Sequence, residues 1–197
     1  MNIATGRIKR KFEAEAFERA ARKSNTELTV FLAGPFIETN KRRPRKNKRN
    51  AATLLRYDLY NSIDELGYDV TLGEYKELIA AHGEALGALN NAANAEIGHA
   101  EDHADAVVML PSSPGSFTEF GAFSLYETIC KKMLIIVDKQ YEHASNYFNT
   151  GPKIMASNRG AVIEYVNYED TGSCSEVVEG FLMNQLHKKI EKGYLPK

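Results

Sequence analysis

The sequence predicts an α/β fold: a five-stranded, mainly parallel sheet flanked by helices, in a single domain. Three observations predict it. Five short runs are rich in β-branched residues and apolar almost throughout, which is how strands buried on both faces of a parallel sheet read. Segments with apolar residues at helical spacing separate them, and that alternation implies right-handed crossovers with helices on both faces of one sheet. The chain of 197 residues, 43% hydrophobic, is long enough to bury such a core.

The elements follow in order. Residues 1–26 form an N-terminal helical segment, since Ile8, Phe12, Phe17 and Ala20 recur on one side of 7–24. The first strand is "ELTVFLAG" at 27–34, followed by a helix over 51–66 with Leu54, Leu55, Leu59 and Ile63 on one stripe. "YDVTL" at 68–72 is the second strand, and a helical pattern over 76–103 leads to the third, "DAVVML", at 105–110. A helix over 117–131 precedes the fourth strand, "MLIIVD", at 133–138. A long loop leads to "AVIEYV" at 161–166, and a closing helix near 175–192 carries Val177, Phe181, Leu182, Leu186 and Ile190. The order is flavodoxin-like or Rossmann-like, with residues 27–197 as the α/β domain.

Composition removes several function classes. The formal net charge is −1, so the molecule as a whole has no strong pull on polyanions. The average conceals "KRRPRKNKR", Lys41 to Arg49, with seven basic residues in nine. That block reads either as a solvated loop or as a contact for phosphate or nucleic acid, and without interleaved aromatics it does not argue for base stacking. Cys130 and Cys174 are too few for a disulfide framework and lack metal-ligand spacing, which points to a reduced, cytoplasmic compartment. No apolar run reaches signal-peptide or membrane-spanning length, so no membrane role is expected.

Ligands of open parallel sheets bind beyond the carboxyl ends of the strands. That rule selects the loops after the first, third and fourth strands. In the loop after the third, "LPSSPGSFTEFGAFS", Ser113, Gly115 and Ser116 precede or open a helix whose free N–H groups favour an anionic oxygen. Ser116 with Glu119 three residues on also fits a capping box, a purely local role. Gly121 and Ala122 are small enough to let the helix start approach the sheet. On the preceding helix Glu96, His99 and His103 share a face, with Glu96 and Asn94 nearer the ligand edge. A metal held by His99, Asp102 and His103 has no matching ligands elsewhere, so neither metal nor cofactor is expected. His82 reads as a cation at a helix end. In the loop after the fourth strand, Tyr141, Tyr147 and Phe148 suit either base stacking or loop packing, with Asn146 and Asn149 placed to read a base edge.

"VFLAGPF" and "ADAVVMLPSSPGSFTEFGAFS" together resemble the nucleoside 2-deoxyribosyltransferase superfamily. The resemblance implies that Glu119 is the nucleophile at the sugar's anomeric carbon, and that Glu96 stands where the family has a carboxylate that positions the sugar. It also implies that Gly115 and Ser116 hold the 5′ end of the sugar and that Gly34, Pro35 and Phe36 form the first-strand turn of the pocket. Where the transferases have an aspartate, this chain has Ser113, as in the similar nucleotide-hydrolysing branch. A hydroxyl can donate to a phosphate that a carboxylate would repel. The "SPGS" loop and "FNTGP" at 148–152 also resemble effector subunits of bacterial retron defence systems. The expected activity is therefore cleavage of the base–sugar bond of a nucleoside 5′-monophosphate or an NAD-like nucleotide, as a toxin or effector in phage defence. A non-catalytic nucleotide sensor, a nucleoside deoxyribosyltransferase and a Toll/interleukin-receptor-type NAD hydrolase are the competing readings. The resemblance further implies a homo-oligomer.

Overall fold

The computed structural model describes residues 27–44, 51–75, 78, 80 and 91–194. The N-terminal segment 1–26, residues 45–49 of the basic block, His82 and most of the first half of the helix expected from 76 lie outside the described residues. Five strands, β1 (Thr29–Ala33), β2 (Asp69–Thr71), β3 (Ala106–Met109), β4 (Met133–Asp138) and β5 (Val162–Val166), form one sheet in the order β2-β1-β3-β4-β5. Every pairing is parallel, with Val30 beside Val70 and Ala106, and Val108 beside Leu134. The α/β class, the single sheet and its flanking helices are as the sequence predicts.

Helices cover both faces because each central strand is apolar on both. Val30, Leu32, Val108, Leu134 and Ile136 pack on one side against Leu55, Leu59 and Ile63 of α1 (Ala51–Glu65) and against Val178, Leu182 and Leu186 of the closing helix, Thr171–Tyr194. Phe31, Val107, Met109, Ile135 and Val137 pack on the other against Ala100 of α2 (Ala92–Asp102) and Phe120 and Phe123 of α3 (Pro114–Phe123). Ile129 and Cys130 of α4 (Glu127–Cys130) close the same side. Cys130 and Cys174 are both buried and unbridged. β5 departs from the expectation of two buried faces: it is an edge strand, and Val162 and Glu164 are exposed.

The helix expected over 117–131 is two. It starts earlier, at Pro114, whose fixed φ and missing N–H suit a first helical position. It stops at Phe123, and residues 124–126 turn the chain before α4. The segment after β4 is also not a plain loop. A 3-10 turn (Lys139–Tyr141) and two short helices, α5 (Tyr147–Thr150) and α6 (Pro152–Asn158), occupy it, and the closing helix is α7. Among the described residues no helix is long and apolar enough to cross a membrane.

Candidate active site

In this strand order the chain runs from β1 to β2 on one side and from β3 to β4 on the other, so the loops after β1 and β3 diverge and leave a crevice. A cavity of about 360 Å3 occupies it, lined by Gly34, Phe36, Arg56, Gly73, Glu74, Glu96, Ser113, Gly115, Ser116 and Glu119. Of the residues expected from sequence, Gly34, Phe36, Glu96, Ser113, Gly115, Ser116 and Glu119 meet here. Pro35 is buried just behind the wall and gives its carbonyl to Arg56. Asn94 does not line the cavity; it is exposed on the first turn of α2, where its N–H bonds the capping side chain of Asn91.

The capping arrangement corrects the expected one. The cap of α3 is Ser113, not Ser116: Ser113 is extended (φ −129°, ψ 161°) and its Oγ accepts the Ser116 N–H at 3.2 Å. Ser116 closes the box from the third helical position, accepting the N–H groups of Ser112 (2.9 Å) and Ser113 (2.8 Å). Glu119 is thereby released from any capping duty and projects from the second turn into the cavity. Proton counting sharpens the roles of the two serines. Both lone pairs of Ser116 Oγ are taken, and its own proton goes to Ser113 O (3.1 Å) or Ser113 Oγ (3.0 Å). The Ser113 hydroxyl proton is the one left over. With the Gly115 N–H, which at the second helical position has no intrahelical acceptor, it forms a small donor pair at the cavity wall.

Gly121, expected to allow a close approach to the sheet, does not: a Cβ there would meet nothing within 4 Å. The close approaches are at Gly34 and Gly73. Gly34 has φ +154°, and a Cβ on it would press on Leu110 Cβ (3.1 Å) and Arg56 Cδ (3.2 Å). A Cβ on Gly73 would overlap Glu96 Oε1.

Arg56, Gly73 and Glu74 were not anticipated. Arg56 is 1% exposed in the apolar stripe of α1. Its guanidinium donates to Leu32 O (2.6 Å), Pro35 O (2.8 Å) and Gly34 O (3.3 Å), and forks onto both carboxylate oxygens of Glu74, one of them at 2.8 Å. Glu74 also accepts the Ile37 N–H at 3.2 Å. A lone arginine among leucines, and an acid directly after a strand's carboxyl end, were the available signals.

Charge in the cavity is unbalanced. Among the described residues that line it, three carboxylates face one guanidinium, and that guanidinium is already engaged by Glu74. Burial, reinforced by Glu96 and Glu74 and opposed by Arg56, pushes the Glu119 carboxyl up to about 8. Burial and Glu74 also raise Glu96, again against Arg56.

Of the other candidates, Asn146, Asn149, Phe148 and His99 are engaged within the fold, whereas Tyr147 is exposed. Asn149 Nδ2 donates to Tyr141 O (2.8 Å) and Ala144 O (2.7 Å), its Oδ1 accepts from Tyr165, and Asn146 caps α5. Phe148 packs against Phe117 and Phe120, with ring centroids 5.6 and 5.4 Å apart. His99 stacks edge-on to Phe31 and lies beside His103; burial lowers its pKa. Among the described residues no cluster of three or more metal-ligating side chains occurs. Lys41 pairs with Glu38 at 2.8 Å and Arg43 forks onto Asp58 at 2.6 Å.

Residues 86–194 match the STM3845 retron effector protein family, and that span is more than half of the chain. The chain belongs to the STM3845 retron effector family. The matched span contains Glu96, Ser113, Gly115, Ser116 and Glu119, whereas Gly34, Arg56 and Glu74 precede it. Over 172 residues, 86% of the chain, this retron effector is 24% identical to an Escherichia coli protein named "Retron Ec86 putative ribosyltransferase/DNA-binding protein". It spans about half (51%) of that relative's length.

Proposed function

We propose that this retron effector is an N-glycosidase that cleaves the base–sugar bond of a nucleotide, with Glu119 as the nucleophile. The observation that carries the reading is the position of Glu119. It is freed from capping, half-buried, and set in a cavity that also offers Glu96 and the Ser113 and Gly115 donors. The relative's ribosyltransferase name supports glycosyl transfer at the same coarse level.

In the proposed step a Glu119 oxygen bonds to C1′ as the C1′–N bond breaks and its electron pair leaves with the base. A neutral base needs a proton on that nitrogen, and Glu96, whose burial favours its protonated form, supplies it. Water then opens the glycosyl ester and returns Glu119 as carboxylate; the water's proton goes back to Glu96 where Glu96 has protonated the base, and to solvent where a cationic base has left as a neutral molecule. The Ser113 hydroxyl and Gly115 N–H hold a 5′-phosphate. The acidic surroundings of Glu119 favour an NAD-like substrate over a monophosphate: a cationic glycosidic nitrogen offsets Glu96 and Glu74 and lets Glu119 ionise. The same carboxylates stabilise an oxocarbenium-like transition state. The basic stretch 41–49 is the place for a nucleic-acid contact of the kind the relative's name carries.

The test is incubation of the protein and of Glu119→Gln with NAD and a panel of nucleoside 5′-monophosphates, with and without a free acceptor base, followed by chromatography. Release of base should fall on the order of 10^3-fold or more in the variant. Base exchange in place of loss would convert hydrolase to transferase. Binding without release by the wild type would replace the enzyme with a nucleotide sensor.

A further inference from the structure

We infer that Arg56 and Glu74 are positioning residues, an ion pair between a buried arginine and a part-buried glutamate that ties the loop after β1 to the loop after β2 and so fixes the walls and the charge that Glu96 and Glu119 meet. The inference rests on the site proposed above, where Arg56 has no role and Glu74 enters only through its charge.

The geometry is specific. One guanidinium reaches the end of β1 at Leu32 O and the loop after it at Gly34 O and Pro35 O, and the same group holds the Glu74 carboxylate from the second loop. Glu74 returns to the first loop through the Ile37 N–H. The pair thus closes a ring of hydrogen bonds behind Gly34, Phe36 and Gly73, all of which line the cavity. Gly73 in turn determines where Glu96 can sit, because the carboxylate occupies the space a methyl group there would need. An arginine 1% exposed on an apolar helix stripe is costly to bury, and a leucine would fill the same core position. Fixing two loops against each other is what a leucine could not do.

The charges act on Glu119 with opposite sign. Arg56 favours its ionised form and Glu74 its neutral form, with Glu96 the remaining ionisable neighbour. A residue that merely filled space would move neither balance.

The experiment follows the Glu119 side-chain carboxyl carbon by 13C NMR through a pH titration, its resonance identified by loss in Glu119→Gln. Arg56→Met should raise the midpoint and Glu74→Gln should lower it, each by on the order of one pH unit. Arg56→Met leaves the part-buried Glu74 without its cation and is the variant at risk of not folding. Glu74→Gln retains the carbonyl bonds of Arg56 and keeps the inference open to refutation, and in the double variant Arg56→Met/Glu74→Gln the two opposite shifts should largely cancel. A midpoint unmoved in Glu74→Gln, or a double variant displaced from wild type by more than Glu74→Gln alone, would overturn it. Because the readout is a titration, it decides the inference even where no base is released. If base is released while the midpoints stay fixed, the positioning role alone falls.

Discussion

At the amino ends of the strands, Asp105 and Lys132 are both engaged by the fold. Asp105, before β3, accepts the Thr29 N–H at 2.9 Å and meets Lys189 of α7 at 2.6 Å. Lys132, before β4, donates to Glu101 O (2.9 Å) and Ala104 O (2.7 Å). At the carboxyl ends the arrangement is reversed: Glu74 takes Arg56, and Glu96 and Glu119 share a cavity in which no other cation lies among the described residues. One end spends its charges on holding strands and helices together. The other keeps carboxylates where they cost stability, and such a cost is characteristic of a site retained for chemistry.

The largest effect should come from relieving that cost. Glu119 is raised from its ordinary value of 4.5 to about 8 in the folded protein. Between those values the folded state holds a proton that the unfolded state has lost, so stability falls as pH rises through the window and the full penalty is present above pH 8. Glu119→Gln removes the penalty. The variant should gain on the order of 5 kcal/mol over wild type above pH 8, at about 1.4 kcal/mol per pKa unit, and nothing near pH 4. Urea denaturation of both proteins across pH 4 to 9 measures the difference. Equal stability at pH 9 would place Glu119 among ordinary solvated carboxylates and erase the contrast between the two ends.

The parts legible in the sequence and the parts not legible divide along similar lines. The sheet is legible because strands buried on both faces must be apolar throughout, and "MLIIVD" admits little else. Glu119, Ser113 and Gly115 are legible because turn chemistry at a strand's carboxyl end is local in sequence. The starting point of α3 was three residues off because Ser116 and Glu119 imitate a capping box, while Pro114 at the first helical position decides for Ser113. Arg56 and Glu74 were missed for a physical reason: they are eighteen positions apart, and only the pairing of β1 with β2 brings their loops together. Asn149 looked like a base reader because an asparagine's partners are set by loop geometry, and here they are two carbonyls and a tyrosine of its own loop and the edge strand.

A smaller effect is expected where the backbone makes room for the acid. Gly73→Ala places a methyl group in the space of Glu96 Oε1, and because that oxygen ends a flexible side chain, the side chain gives way while the backbone stays. Base release should drop roughly tenfold, about 1.4 kcal/mol, with the fold intact. In a Glu96→Gln background the same substitution should cost little more, since both act through one group. Full additivity of the two would mean that Gly73 matters for some reason other than Glu96.

The smallest effect belongs to the paired end. The Asp105 and Lys189 side chains are 25% and 38% exposed, so solvent screens their attraction and the bridge contributes about 1 kcal/mol or less. Asp105→Asn retains an acceptor for the Thr29 N–H and removes only the charge, and the loss should shrink further as salt is added. Urea midpoints at low and high ionic strength measure it, with base release left unchanged because the pair lies at the opposite end of the strands from Glu119. A change in release without a change in stability would show that the two ends communicate, and the division between a structural and a chemical end of the sheet would have to be abandoned.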